Sequence, residues 1–312
     1  MIERSTAGTA YRKPRINWRR LKKSWQLYLL LAPALAYFLV FKYYPMYGLQ
    51  LAFKWFRPVD GITGSRWIGF EHFERFFSSY YFWDLLKNTL LINLYALALF
   101  PISIIVALSL NELKDGRFKK VAQTITYAPH FISTVVLVGM VIAFLDPATG
   151  IVNNLLAHLN IGPIHFMARP DLFKSIYVWS NEWQNLGWGA IIYLAALAGV
   201  DPQLHEAAKV DGATRWQRIW HINVPSILPT IIILLILNMG NMMSVGFEKI
   251  LLMQNPLNLQ SSQVISTYVY EAGLLHGQYD YSTAIGLFNS VINLVILIFF
   301  NRMARRTGTS LW

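Results

Sequence analysis

Residues 201–229 read DPQLHEAAKVDGATRWQRIWHINVPSILP. The stretch is polar and lies between two long apolar runs, which marks it as a loop joining two membrane spans. Asp201-Pro202 is a helix start, with Asp as N-cap and Pro at the first helical position. Leu204, Ala207 and Ala208 then share a face, and Asp211-Gly212 breaks this first short helix. A second helix is predicted from about Ala213 to His221, stopping near Pro225. Small Ala207, Ala208 and Ala213 let such a helix–turn–helix sink into a groove on another protein. Gly212 permits the sharp turn, and Glu206 is a charged tip able to pair with a partner's arginine or backbone amides. On residue types alone, an ordinary amphipathic loop satisfies the same pattern.

The chain around this loop is built for lipid. Of its 312 residues 55% are apolar and only 14% charged, against about 25% charged in a soluble domain. The apolar runs do not alternate, which argues against a β-barrel. The class is an all-α integral membrane protein with six transmembrane helices, predicted near 26–44, 85–110, 121–145, 173–199, 226–247 and 283–301. A signal peptide competes for the first run, but no convincing cleavage site follows it and five further spans do, which favours a retained helix. Pro101 and Pro129 fall inside spans, which is tolerable where neighbouring helices satisfy the freed carbonyls. Residues 45–84 are too polar to span and too aromatic for a free linker; short helices along the outer interface are expected there.

The net charge of +11 is a topology signal, since no nucleic-acid motif accompanies it. The N-terminal tail, the 111–120 loop, the 201–225 loop and the C-terminal tail hold 18 of the 27 Lys and Arg but 6 of the 16 acids. The positive-inside rule makes that side cytoplasmic. The protein is therefore expected as a multi-pass chain of the cell (inner) membrane with both termini cytoplasmic. Its parts are a basic tail 1–25, a six-span domain 26–301 containing the 201–225 loop, and a short tail 302–312. Trp18, Leu21 and Trp25 lie on one face of the first tail with basic residues on the others, so it is either an interfacial helix on lipid headgroups or a tail that only sets orientation.

Enzyme signatures are missing. No GxxxxGK[ST] occurs, so the chain has no phosphate-binding loop of its own, and energy has to come from a partner or an ion gradient. In His205-Glu206-Ala207-Ala208-Lys209 a lysine stands where a second zinc ligand would be needed, and the other histidines lack ligand spacing; no metal site is expected. There is no cysteine.

Polar groups inside spans are costly unless they pair or line a cavity. Asn238 and Asn241 sit at helical spacing on span five and Glu248 extends that line; Asn289 and Asn293 are four apart on span six. Span two carries Asn88, Asn93 and Tyr95, and span four contains Asn181, Glu182, Trp183, Gln184 and Asn185. Amides, carboxylates and indoles are the groups that hold sugars. Interhelical hydrogen bonding competes as the role of any single Asn; for the group on spans four to six, pathway lining is expected.

The string Glu206, Ala207, Ala208, Asp211, Gly212, Ala213, Ile222 and Pro225 resembles the EAA motif of ABC importer permeases. YLLLAPALAYFLVFKYYPMYGLQLAF, WIGFEHFERFF, IIYLAALAGVDPQLHEAA, VGFEKILLMQNPL and the ending RRTGTSLW look like the LplB-type branch of the MalF/MalG-like sugar permeases. Ile219-Trp220 departs from the Phe of many relatives. The resemblance implies the type I importer fold, with cytoplasmic coupling helices between spans four and five. It implies a second homologous permease, an ATPase dimer that binds ATP-Mg, an extracytoplasmic solute-binding protein, and an oligosaccharide or polysaccharide substrate, with acidic alginate-type sugars among the candidates. No cofactor is expected in this chain. An ion-gradient-driven sugar carrier is the rival, though no internal repeat supports it; a membrane scaffold or sensor is a third.

Overall fold

A computed structural model describes residues 25–306 together with Gly308, Ser310 and Leu311. The N-terminal tail, for which an interfacial helix and a tail that only sets orientation are the alternatives, therefore lies outside the described residues, save Trp25. The chain divides into two compact units, 1–50 and 51–312. Helix α1 (Trp25–Phe53) is 29 residues of mostly apolar sequence, longer than the predicted first span. It changes from α-helix to a π-turn at Leu39–Tyr43 and a 3-10 stretch at Tyr44–Phe53. The change flanks Pro45, which cannot donate to an ordinary helical ladder.

In the second unit, residues 54–81 hold more than the expected short helices. A two-stranded ribbon pairs β1 (Lys54–Trp55) with β2 (Arg66–Trp67), and α2 (Glu71–Phe77) follows. The buried His72 ring bonds the Lys54 carbonyl at 3.0 Å and lies 3.4 Å from Asp280, which also accepts the Phe56 N–H at 2.9 Å. This segment is thereby tied to the start of the last span.

Helix α3 (Phe82–Glu112) is the second span; Pro101 is accommodated because it opens the second half of the helix. The third span is not the single helix the sequence predicts. It is two helices, α4 (Arg117–Phe131) and α5 (Thr134–Phe144), bent by 100°. Pro129 interrupts the ladder, Ser133 is extended, and its hydroxyl caps the second half by accepting from Val136 N–H. After α6 (Ile151–His158), α7 (Pro170–Ala198) runs 29 residues, about 43 Å at 1.5 Å per residue. Then come α8 (Pro202–Val210), α9 (Arg215–Gly240), α10 (Phe247–Met253) and, after shorter turns, α11 (Tyr279–Arg305).

Among the described residues four helices are long and apolar enough to cross a membrane, five if the bent pair counts as one span. The expected fourth span, α7, has the length but carries Asp171, Lys174, Glu182 and three amides. It is the central helix of its unit: Phe173, Tyr177 and Val178 pack with Ile92, Val138 and Ile250, and Ala190, Tyr193 and Leu197 with Ala107 and Ile227. Small residues set the approach, as expected where lipid offers no hydrophobic drive between helices. A Cβ on Gly187 would fall 2.1 Å from the Thr126 carbonyl, and one on Gly189 2.8 Å from Ser103 Oγ.

Candidate functional site

The loop between α7 and α9 folds largely as its residues dictate. Asp201 caps α8 by accepting from Gln203 N–H at 2.9 Å. Gly212 adopts φ +76°, in the left-handed region, and the Ala213 N–H closes back on the Ala208 carbonyl at 2.8 Å. Thr214 and Gln217 form a capping box that starts α9. None of the α8 residues is buried; Glu206, Ala207, Asp211 and Gly212 are exposed, and Ala208, Ala213 and Ile222 are partly covered.

One expectation fails here. The second loop helix does not stop near Pro225: helix continues from Arg215 to Gly240. A π-turn at Ile219–Asn223 precedes Pro225, and the proline sits in the first turn of the segment after it. The wider turn changes the register just where Pro225 lacks an N–H, so the chain does not break. The fifth span and the second helix of the loop are thus one rod.

Above this loop, along α7, lie two cavities. The first, about 310 Å³, is lined by Asn93, Asn181, Glu182, Asn185, Asn238 and Ser103 together with Phe100, Trp188 and Tyr193. One carboxyl oxygen of Glu182 is buried without a hydrogen-bond partner in the chain, a costly arrangement that a hydroxyl-bearing ligand would relieve. Trp188 is 48% exposed. One of its ring faces is covered by His130, whose Nδ1 is held 3.1 Å from Asn185 Oδ1, and Phe131 meets it edge-on. The indole is a fixed platform with room on its other face, suited to stacking against a sugar ring.

The second cavity, about 340 Å³, is lined by His130, Tyr177, Gln184, Glu248 and Lys249, and shares Asn181 and Asn185 with the first. The two therefore form a polar track on α7, the second toward its Pro170 end and the first toward the end that continues into the 201–213 loop.

Of the expected pathway residues, the structure brings Asn181, Glu182 and Asn238 to the first cavity and Asn181, Gln184 and Glu248 to the second. Trp183, Asn241, Asn289 and Asn293 line neither. Asn241 bonds its own helix at Leu237. Asn293 accepts the Met243 N–H at 2.8 Å and donates to Ser244 Oγ at 3.0 Å, which ties the last helix to the turn after α9. Asn88 likewise donates to the Gln260 and Gln263 carbonyls. Sequence reasoning missed His130, Trp188 and Lys249 as lining groups. His130 and Trp188 stand on different helices, so no local spacing marks the pair. Among the described residues no three His, Asp or Glu side chains come together as metal ligands.

Residues 99–309 match the family described as binding-protein-dependent transport system inner membrane component. The chain is 43% identical over 283 residues to the polygalacturonan/rhamnogalacturonan transport system permease protein YteP of Bacillus subtilis, covering 90% of this chain and 88% of that one. It is 43% identical over 293 residues to Protein LplB of the same organism, covering 93% and 92%. Among solved structures, a chain of a bacterial alginate ABC transporter in complex with its alginate pentasaccharide-bound periplasmic protein aligns with TM-score 0.87 and 43% identity, over 95% of this chain and 99% of that chain.

Proposed function

The chain belongs to the family of binding-protein-dependent transport system inner membrane components, and on that premise we propose that it forms half of the translocation pathway of an ABC importer for oligosaccharides or polysaccharides. The observation that carries this is the fit of nearly the whole chain to a chain of the alginate ABC transporter, together with its likeness to the YteP permease. Its partners are a second homologous permease, an ATPase pair and an extracytoplasmic binding protein that delivers the sugar. The substrate class follows the similar proteins, which are concerned with polygalacturonan, rhamnogalacturonan and alginate; all three contain sugar units that carry a carboxylate.

The chain is a transport component. ATP-Mg is held by the ATPase partners, because this sequence has no phosphate-binding loop. The exposed turn at 206–213 seats in them. ATP binding draws the ATPase pair together, α8 moves with it, and α9, continuous with the loop, carries that displacement into the bundle. The sites facing the two sides are then populated in turn, through differential contacts in two states. The sugar passes along the α7 track, held by amide hydrogen bonds, Glu182 and the Trp188 face. On this reading both termini and the 201–225 loop lie in the cytoplasm, which the excess of Lys and Arg on that side supports.

The test is sugar uptake by vesicles containing the assembled transporter and its binding protein. Uptake that persists when the ion gradient is collapsed with ATP present supports the importer. Uptake that stops with the gradient, ATP still present, returns the protein to the rival class of ion-driven carriers.

A further inference from the structure

Lys249 is a buried cation without a counter-charge. It is 4% exposed, yet among the described residues no carboxylate lies within 4 Å of its ammonium. Its Nζ donates to the Tyr177 carbonyl at 3.3 Å and stands 5.1 Å from the centre of the Tyr177 ring. Those contacts hold it in place but do not neutralise it. Burial draws its pKa down from the usual lysine range to about 7. A desolvated ammonium is costly unless an anion pairs with it. An apolar side chain would pack at lower cost in this position, where neighbouring Ile250 and Met253 are buried.

The place of the lysine says what the anion is. Lys249 lines the second cavity beside Asn181, Asn185, Gln184 and Glu248, and that cavity shares its asparagine wall with the one holding Glu182 and Trp188. We propose that Lys249 is the specificity group that pairs with the carboxylate of a uronate unit as it passes along α7. The proposal rests on the sugar-importer reading and narrows it to carboxylated sugars selected by the permease itself. The asparagines and Glu248 take the ring hydroxyls, since amides both donate and accept and a carboxylate accepts. The Lys249 ammonium takes the charge, in a bond about twice as strong as a neutral one. A neutral sugar in this cavity leaves the ammonium unpaired, so discrimination against it follows from the cost of the orphaned charge.

The experiment uses the intact transporter, this chain with its second permease and ATPases, in nanodiscs without the binding protein. Trimers of galacturonate and of mannuronate are titrated against their fully methyl-esterified forms, which keep ring and linkage but lose the charge. Binding is read by tryptophan fluorescence. Wild type is expected to bind one of the acids about tenfold or more tighter than its ester, Lys249→Gln to bind acid and ester alike, and Lys249→Arg to retain the preference. Equal binding of acid and ester by wild type, or an acid preference that survives in Lys249→Gln, overturns the proposal and leaves the transport reading standing. A wild-type transporter that binds none of the four sugars also overturns the proposal, while the transport reading is decided separately by the uptake assay.

Discussion

His130 lies flat on Trp188, the two rings 4.3 Å apart and within 6° of parallel. The imidazole is itself hooked to Asn185, so one polar side chain on α7 orients the imidazole, which in turn fixes the indole. Stacking on a rigid indole needs no ordering of the side chain when the sugar arrives. Trp188→Ala should therefore raise the KM for sugar uptake about tenfold, in keeping with about 1.5 kcal/mol for an aromatic contact, while Trp188→Phe keeps most of the affinity. His130→Ala should give a smaller rise, because the indole remains but turns more freely. Unchanged KM in Trp188→Ala would remove the platform from the pathway.

Gly212 holds φ +76° with open space where a Cβ would stand, so substitution there strains the backbone without a clash. Alanine in the left-handed region costs about 1–2 kcal/mol, and a β-branched residue is worse placed still. Gly212→Val is expected to abolish uptake with the protein still in the membrane, and Gly212→Asn, which tolerates this conformation, to retain part of it. Glu206→Lys, which reverses an exposed charge without touching the fold, should also stop uptake. Transport assays alongside co-purification of the ATPase separate a lost seat from a lost protein. Normal uptake by Gly212→Val and Glu206→Lys together would contradict a coupling role for the turn.

Asn293 serves the fold. Removing its carbonyl in Asn293→Leu leaves the Met243 N–H, next to a side chain only 1% exposed, without its 2.8 Å partner. An orphaned buried donor costs about 1–3 kcal/mol. The variant should unfold at lower temperature in detergent, with the KM of whatever fraction survives unchanged. A raised KM at unaltered stability would return Asn293 to the pathway.

Lys249 lends the protein a distinctive pH response. An unfolded chain titrates lysine near 10.4, whereas burial places this one at about 7. Between those values the unfolded state binds more protons, so the folded state gains as pH rises through the window and loses as pH falls toward 7. Lys249→Met removes an amine that must give up its proton to be buried and should raise the melting temperature at pH 7.5, with the gap to wild type closing as pH approaches 10. A variant less stable than wild type at pH 7.5 would mean that the Tyr177 contacts outweigh desolvation.

The membrane class, the polar loop at 201–225 and the turn at Gly212 were legible in the sequence because each rests on a local rule. A long apolar run suits lipid, an Asp-Pro pair starts a helix, and glycine takes a positive φ. The same local rules misled where a proline had more than one outcome. Pro225 ends no helix because a π-turn absorbs its missing donor, and Pro129 with Ser133 turns one expected span into two helices bent by 100°. Which asparagines tie the fold together and which face a cavity could not be read from spacing, since Asn293 and Asn181 both sit at helical spacing with other amides. Partners far apart in the chain decide that: Met243 and Ser244 for Asn293, and for Asn181 the cavity walls supplied by α3, α7 and α9. The His130–Trp188 stack and the uncompensated charge of Lys249 likewise exist only in three dimensions, because pairing and burial depend on which helices meet, and composition does not record that.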